Sequence, residues 1–559
     1  MNKIPAILFF CLFAIFGAAV LAKLFYLQIV KGEYYEALAL GQQMSVEDTT
    51  SQRGDIFFSD SKTILAQTKT KPVVYISPSK ISEKEIDLVV KELSLALNEK
   101  EEDVRGQIQK GDILRKDITE KQYETLKQKN LKGVYLSEVL VRVYPQKELA
   151  CHMAGFVNNE GQGQYGIEGY YDSILQGENI SKGKGSALGI LTSVFSGRDT
   201  DLQTKGESLQ LTIDYNIQYY AEKMLNKAFD QWKMDSGQII VEDPQTGRIL
   251  AFATFPDFDP NNYSQEKNMA VFLNPALQAL FEPGSVFKPF TMAGALEENL
   301  VKPETKFTDS GVVNVGGPSI YNFAKKSWGE QSMVGVLENS INTGAVFVEQ
   351  KLGKNLFLKY AQKFGFFDKT GIDLAGEVFS LNETLKSGYP RDLATASFGQ
   401  GIQMTSMQLV KGFCAIANAG KMMKPYVVDK IIYPNGKEKT QEPVFEKQVI
   451  SEDTASKLSA MMVSVVENGG GRRAKVPNYY IAGKTGTAQI PKPKGGYYET
   501  ETIQSFIGFA PAFSPRFVIL VRLDNPKQSD AASSCAAPIF GELAKYIIDL
   551  WQIPPSESP

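Results

Sequence analysis

Nineteen consecutive residues near the amino terminus, Ile4 to Ala22 (IPAILFFCLFAIFGAAVLA), carry no charge. As a helix rising about 1.5 Å per residue they reach roughly 28 Å, close to the ~30 Å hydrocarbon core of a bilayer. A cleaved secretory leader is apolar too, and the AVLA that ends at Ala22 loosely resembles a cleavage site. The run is long for a leader, however, and passes directly into amphipathic KLFYLQIV. The expectation is therefore an uncleaved single-span anchor within residues 1–23. No second comparable run follows, which leaves the rest of the chain on one side of the membrane.

The composition, 43% apolar and 22% charged over 559 residues, is that of folded protein with roughly three to five structural units. Lys and Arg number 60 against 63 acids, so no basic excess calls for nucleic acid. Four cysteines stand singly at Cys11, Cys151, Cys414 and Cys535, without a CxxC pair or disulfide-scaffold density. His152 is the one histidine. That removes every multi-histidine metal site and leaves one candidate for a Ser-His-Asp triad. If the chain is a hydrolase or transferase, its base is expected to be something other than imidazole.

Residues 24–50 read as a helical stalk, and Arg53-Gly54-Asp55 opens a β-rich region. A charged helical insertion occupies about 80–135. Strand-like LVRVYP, a Gly-rich loop at 161–166 and a Gly/Ser/Lys-rich linker over 180–205 follow. From 206 the texture changes. LQLTID reads as a strand, IQYYAEKMLNKAFDQW as an amphipathic helix, and GQIIVEDPQTGRILAFAT as a hairpin punctuated at Asp243-Pro244 and Thr246-Gly247. Near the end, Ser451 caps a helix over 452–467 that stops at Gly469–Gly471. Three strands (YYIAGKTGTAQI, SFIGFAPAF, RFVILVRLD) and a closing helix (IFGELAKYIIDLW) complete a unit over 206–553. The short tail 554–559 (PPSESP) reads as disordered. The fold class is α+β: an antiparallel sheet flanked by helices, with a helical subdomain, behind an amino-terminal β-rich region at 24–205.

Without histidine, a serine hydroxyl can be activated by a neutral lysine one helical turn away, as in Ser-x-x-Lys. The bare pattern is weak, and also occurs at Ser59/Lys62, Ser77/Lys80, Ser181/Lys184 and Ser264/Lys267. Only Ser285/Lys288 opens an apolar helix: Pro283-Gly284 breaks the chain before it, and Pro289 fits a first helical turn. There the helix N-terminus favours a developing oxyanion and disfavours charge on Lys288. A plain serine cap with a solvated lysine fits the same residues. A second element, Ser340-Ile341-Asn342, breaks two apolar helical runs, and a capping turn is its bland reading; Ser380-Leu381-Asn382 looks like surface. A third, Lys484-Thr485-Gly486-Thr487, lies within an apolar strand, where lysine, hydroxyls and glycine let a substrate backbone and its carboxylate approach. An exposed edge strand would carry lysine too. Lys369-Thr370-Gly371 sits in a loop.

In this order SVFK, SIN and KTGT closely resemble the penicillin-binding transpeptidases of bacterial cell-wall synthesis. RGDIFFSDSKTILA is similar to the family's RGxIxDRxGxxLA, with Ser59-Asp60 in place of Asp-Arg. RVYPQKELACHMAGFVN with GQYGIEGYYDSILQG resembles the pedestal of class B members, and FEPGSVFKPF and SFGQGIQMTSMQL resemble transpeptidase signatures. The resemblance implies a penicillin-binding transpeptidase fold on a pedestal of dimerisation-domain type. It makes Ser285 the acylated nucleophile, Lys288 its base, Ser340 a proton relay, and Asn342 a positioner of substrate and Lys288. Lys484, Thr485 and Thr487 would hold the donor's carboxylate, with Gly486 in the same substrate-binding strand and the N–H groups of Ser285 and Thr487 as the oxyanion hole.

The reaction implied joins donor and acceptor peptidoglycan stem peptides and calls for no metal or organic cofactor, and β-lactams would acylate Ser285. The resemblance further implies a cytoplasmic amino terminus, an extracytoplasmic catalytic domain at the plasma membrane, and partnership with a separate glycan polymerase and divisome-type membrane proteins. The ED-xx-F-xx-H-x-G signature of bifunctional class A members is absent, because ELACHMAG around His152 does not fit it; His152 reads as packed in the pedestal. FEPGSVFKP and KTGTAQ favour a division role. An elongation-type enzyme, a D,D-carboxypeptidase or β-lactamase-like hydrolase, and a non-catalytic division scaffold are the alternatives.

Overall fold

The computed structural model describes residues 4–31, 52–110, 114–177, 205–492, 495–529 and 531–556. The amino-terminal run forms a helix, Ile4–Phe25, continued by a π-helical turn, Tyr26–Val30. Among the described residues no helix is long and apolar enough to cross a membrane; most side chains of 4–15, which carry the expected anchor, are outside that description. Most of the 24–50 stalk and of the 180–205 linker also lies outside the described residues.

A seven-stranded sheet organises the amino-terminal half and extends beyond it. Its order is Glu438–Thr440, Val428–Ile432, Ser208–Leu211, Ile56–Phe57, Ile64–Ile76, with Leu114–Asp117 and Val134–Val143 both pairing the long Ile64–Ile76 strand. Ile56–Phe57 runs parallel to Ser208–Leu211, whereas Val428–Ile432 runs antiparallel to it. Strands from both sides of position 206 therefore share one hydrogen-bonded ladder. Helices Ile86–Leu97, Glu101–Gln109 and Glu120–Lys129 bury Val89, Val90, Leu93, Val104 and Leu126 in a small core of their own against Val74 and Ile76.

Three of the amino-terminal motifs meet at one buried carboxylate. Glu168, fully buried, accepts from Arg53 Nε at 2.6 Å and Arg142 Nε at 2.7 Å. Arg53 also reaches Asp172 Oδ1 and the Glu168 carbonyl, and Arg142 Nη1 donates to the Gly54 carbonyl. Burial alone would push the Glu168 carboxyl up, but the two guanidinium groups outweigh it and hold it below its ordinary value. Nearby, the Tyr171 hydroxyl donates to Asp373 Oδ2 at 2.8 Å, and Asp373 accepts the N–H groups of Val427 and Val428. This is a polar clasp across the two halves.

The catalytic half is built on a five-stranded antiparallel sheet in the order Ala482–Pro491, Tyr497–Ala510, Phe517–Asp524, Ser236–Glu242, Ile249–Phe255. Both faces are covered. Ile239, Val241, Ile519 and Val521 join one core with helices Tyr215–Trp232 and Ala536–Leu550. Ile240, Val518 and Leu520 join another with helices Lys288–Glu297 and Ser406–Ala417. Two-sided burial is why IIV and FVILV read as unbroken apolar runs. Ser451 caps Glu452–Glu467 by accepting from the Thr454 N–H, as expected. Residues 554–556 of the expected tail are held to the body, whereas 557–559 lie outside the described residues: beside buried Ile553, the Ser556 N–H donates to the Asn478 carbonyl, and its hydroxyl accepts from the Tyr480 N–H. One apolar anchor suffices to tie down the residues beside it.

Candidate active site

The local sequence FEPGSVFKPF folds as a 3₁₀ turn, Gly284–Phe287, running into the α-helix Lys288–Glu297, with Pro289 in its first turn. Three residues per 3₁₀ turn align the side chains of Ser285 and Lys288. Gly284 has φ +61°, and a Cβ there would lie 2.9 Å from the Cβ of Ala488 on the Ala482–Pro491 strand. Val286 and Phe287 are fully buried and pin the turn, leaving Ser285 half-buried.

Lys288 is 1% exposed and Lys484 fully buried. The Lys288 amine donates to the Ser340 carbonyl, to Ser340 Oγ at 3.1 Å and to Asn342 Oδ1 at 2.8 Å. The Lys484 amine donates to the same Ser340 Oγ at 3.0 Å, and to Thr485 O and Oγ1. One serine oxygen thus sits between two buried amines. Desolvation, reinforced by the neighbouring Lys484 charge, holds Lys288 well below the ordinary lysine range. Desolvation alone brings Lys484 down to about 7. Ser340 itself has φ +53°, left-handed backbone that a non-glycine residue adopts only when its surroundings impose it. The bond from Lys288 to the Ser340 carbonyl is one such imposition.

These groups border a cleft of about 610 Å³, lined by Ser285, Ser340, Asn342, Thr485 and Thr487 among others. Neither lysine lines it; both act from behind Ser340. The strand Ala482–Pro491 is at the edge of its sheet, so one of its backbone edges is unpaired within that sheet. Among the described residues the Ser285 hydroxyl makes no hydrogen bond, so the structure joins Lys288 to Ser340 and Asn342 but not directly to Ser285. Catalytic contacts of this kind commonly tighten only once substrate is bound.

The description "Penicillin binding protein transpeptidase domain" matches residues 237–545, and "Penicillin-binding Protein dimerisation domain" matches 48–209. The chain belongs to the class B penicillin-binding proteins. Stage V sporulation protein D of Bacillus subtilis is 34% identical over 555 residues, covering 96% of this chain and 84% of that protein. Peptidoglycan D,D-transpeptidase FtsI of Escherichia coli is 30% identical over 435 residues, covering 77% and 71%. The crystal structure of penicillin binding protein 3 from Mycobacterium tuberculosis complexed with aztreonam superposes with a TM-score of 0.70 at 25% identity, covering 90% of this chain and 97% of that one. The chain therefore has the penicillin-binding transpeptidase fold, a mixed architecture of sheet and helices.

In this penicillin-binding protein the decoy motifs among the described residues do not line the cleft, and Ser181/Lys184 lies outside those residues. The Thr370 N–H and hydroxyl are spent on Glu377, and Asn382 bonds locally and to Gln403. A Cβ on Gly486 would meet Ser505 Oγ at 2.7 Å and Val286 Cγ1 at 2.9 Å, so glycine there lets the strand close on the Gly284–Phe287 turn. His152 is buried, with Nε2 at 2.8 Å from the Val271 carbonyl and Nδ1 at 2.7 Å from Thr254 Oγ1; burial lowers it to about 4, so it is neutral and structural. Sequence reasoning missed Asn322, Tyr321 and Gly470, all of which border the cleft. Gly470 was visible only as a helix stop, and nothing local marks Asn322.

Proposed function

We propose that Ser285 is the acylated nucleophile of this peptidoglycan D,D-transpeptidase and that Lys288, held neutral, is its base. The chain is a serine-type acyltransferase of cell-wall synthesis and a penicillin-binding enzyme, and relatives named FtsI support the division role. The observation that carries the residue assignment is the Ser340 oxygen shared by two buried amines. A donor stem peptide lies extended along the free edge of the Ala482–Pro491 strand, its terminal carboxylate on the hydroxyls of Thr485 and Thr487 with the Lys484 charge behind them. Ser285 Oγ gives its proton to Lys288 and bonds to the carbonyl carbon of the D-Ala–D-Ala amide. The N–H groups of Ser285 and Thr487 receive the oxyanion. Collapse breaks the C–N bond, and the proton passes from Lys288 through Ser340 to the departing D-alanine amine. An acceptor amine then attacks the ester, loses a proton along the same route and frees Ser285. Asn342 keeps Lys288 in register and meets the substrate amide.

The same reading divides the chain into an anchor at 1–23, a pedestal at 24–205, a transpeptidase domain at 206–553 and a tail at 554–559. The anchor is supported by the uncharged run from Ile4 to Ala22. It puts the amino terminus in the cytoplasm and the catalytic half outside the plasma membrane, where a separate polymerase and divisome-type membrane proteins would meet it.

Mass spectrometry of protein labelled with a fluorescent penicillin tests the assignment. The adduct is expected on the tryptic peptide carrying Ser285, and labelling is lost in Ser285→Ala. An adduct on another residue refutes the nucleophile. Release of the label within minutes would favour a hydrolase, and an unlabelled wild type would favour a scaffold.

A further inference from the structure

The helix that carries the Ser-Ile-Asn element, Asn342–Lys363, has Ile341 at its N-cap and no side-chain cap of its own. Its first-turn donors are met from elsewhere in the chain. The Thr343 N–H donates to Asn322 Oδ1 at 3.1 Å, and the Thr343 hydroxyl to Asp309 Oδ1 at 2.6 Å. Asp309 is 2% exposed and its carboxylate is filled: Oδ1 also accepts the Gly311 N–H at 2.8 Å, while Oδ2 accepts Asn322 Nδ2 at 2.8 Å and the Trp328 N–H at 2.9 Å. Burial would push this carboxyl up, but the Thr343 hydroxyl and the other donors outweigh it and hold it below its ordinary value. The Asn342–Lys363 element is broken at Gly353 (φ +66°, ψ 166°), and a buried anion at the start of the segment before that break lies where the helix dipole favours it.

The node ends next to the chemistry. Thr343 follows Asn342, whose Oδ1 takes the Lys288 amine and whose Nδ2 donates to the Tyr321 carbonyl at 3.0 Å, beside Asn322. We infer that Asp309 is a positioning residue for acylation: through Thr343 and Asn322 it fixes the first turn on which Asn342 holds the Lys288 amine. The inference rests on the acyl-transfer reading of the site. Asp309 touches no reacting atom, and its influence on Lys288 is geometric. Asparagine cannot replace it, because an amide nitrogen on the Oδ2 side would face two donors, Asn322 Nδ2 and the Trp328 N–H.

Single-turnover acylation of the full chain by a fluorescent penicillin separates the possibilities, with wild type, Asp309→Asn, Asn342→Ala and the double variant compared and each checked by urea unfolding. Asp309→Asn is expected to slow the covalent step about 30–100-fold, as a misplaced catalytic group does, with the preceding non-covalent affinity within about threefold. The double variant is expected to be about as slow as Asn342→Ala alone, because the two residues act in series. Multiplying effects, or an Asp309→Asn rate equal to wild type, overturn the inference while leaving Ser285 as nucleophile. A wild type that takes no label at Ser285 overturns the reading of the site and this inference with it. If Asp309→Asn does not fold, Thr343→Val removes one of the four donors; about 5–10-fold slower acylation that does not multiply with Asn342→Ala supports the inference. Unchanged acylation in Thr343→Val overturns it.

Discussion

Replacing Gly284 by alanine adds one methyl group at the point where the nucleophile turn meets the edge strand. Three contacts fix the magnitude. The new Cβ would lie 2.9 Å from Ala488 Cβ, 3.3 Å from its Cα and 3.4 Å from its nitrogen, so backbone as well as side chain must retreat. Carbon atoms prefer about 3.5–4.0 Å, so the strand has to move by roughly 0.6 Å or more. The turn cannot recoil instead, because the Gly284 N–H is bonded to the Gly399 carbonyl at 3.0 Å and a Cβ on Gly399 would meet the Gly284 carbonyl at 2.1 Å. At φ +61° an L-residue adds about 1–2 kcal/mol of backbone strain, and overpacking adds about 1–3 kcal/mol. Gly284→Ala is therefore expected to lose about 2–5 kcal/mol of unfolding free energy.

Its second effect is chemical. Thr487 adjoins Ala488, and moving its N–H relative to that of Ser285 would open the oxyanion hole proposed for this pair. Loss of one such donor costs about 10²–10³ in rate, so a sub-ångström misalignment should slow acylation about 10–100-fold. Ala488→Gly in the same chain removes the closest contact and leaves the φ strain. It should restore most of the acylation rate and only part of the stability. Stopped-flow acylation by a fluorescent penicillin and urea unfolding measure the two quantities separately. Acylation of Gly284→Ala within twofold of wild type, or failure of Ala488→Gly to restore it, would refute the dependence of catalysis on this turn–strand register.

Lys484→Met tests the buried amine. Burial holds Lys484 at about 7, against about 10.4 for an exposed lysine, so between those values the unfolded chain binds the extra proton and wild-type stability rises with pH. The variant should rise less steeply across pH 7–10, by about 1.4 kcal/mol per pH unit, in urea titrations at several pH values; equal slopes would show that the lysine is charged when folded. Ser340→Ala removes the one oxygen both amines touch and should lower kcat about 10²-fold with a smaller change in KM, measured on a D-Ala–D-Ala donor with an amine acceptor. Glu168→Gln leaves Arg142 without its buried counter-charge and Arg53 with only the half-buried Asp172, and should cost about 3–5 kcal/mol in urea unfolding. Because the Glu168 carboxyl is depressed, its contribution is present at neutral pH and lost as pH falls through the folded value. The wild-type advantage should therefore shrink in acid.

The two-sided burial of the central sheet was readable, because continuous apolar runs such as FVILV leave no face for water. So was the nucleophile turn, where Pro283-Gly284 and Pro289 restrict the backbone independently of the rest of the chain. The polar wiring was not. Asp309, Asn322 and Thr343 are ordinary residues in their own neighbourhoods and become a node only when segments up to 34 residues apart converge. The shared ladder of Ser208–Leu211 and Val428–Ile432 is hidden for the same reason, since two short strands separated by most of a domain carry no mark of their partner.

The placement of two lysines behind one serine has a consequence for how charge is handled. A neutral amine at Lys288 can donate to two of its three acceptors and keep its lone pair for the Ser285 proton, while the Ser340 oxygen accepts from Lys484 when that residue is charged. A charged Lys484 has no lone pair to accept the Ser340 O–H, which leaves that hydroxyl to point into the cleft, where the departing amine would take its proton. Arrival of an anionic carboxylate on Thr485 and Thr487 stabilises that protonated state of Lys484, since the two charges attract in a site shielded from water. Substrate binding then sets the relay in the direction acylation needs, with the base uncharged and the hydroxyl aligned. A ligand without a carboxylate forfeits this alignment as well as its anchoring contact, so its loss should appear in the covalent step and not in affinity alone.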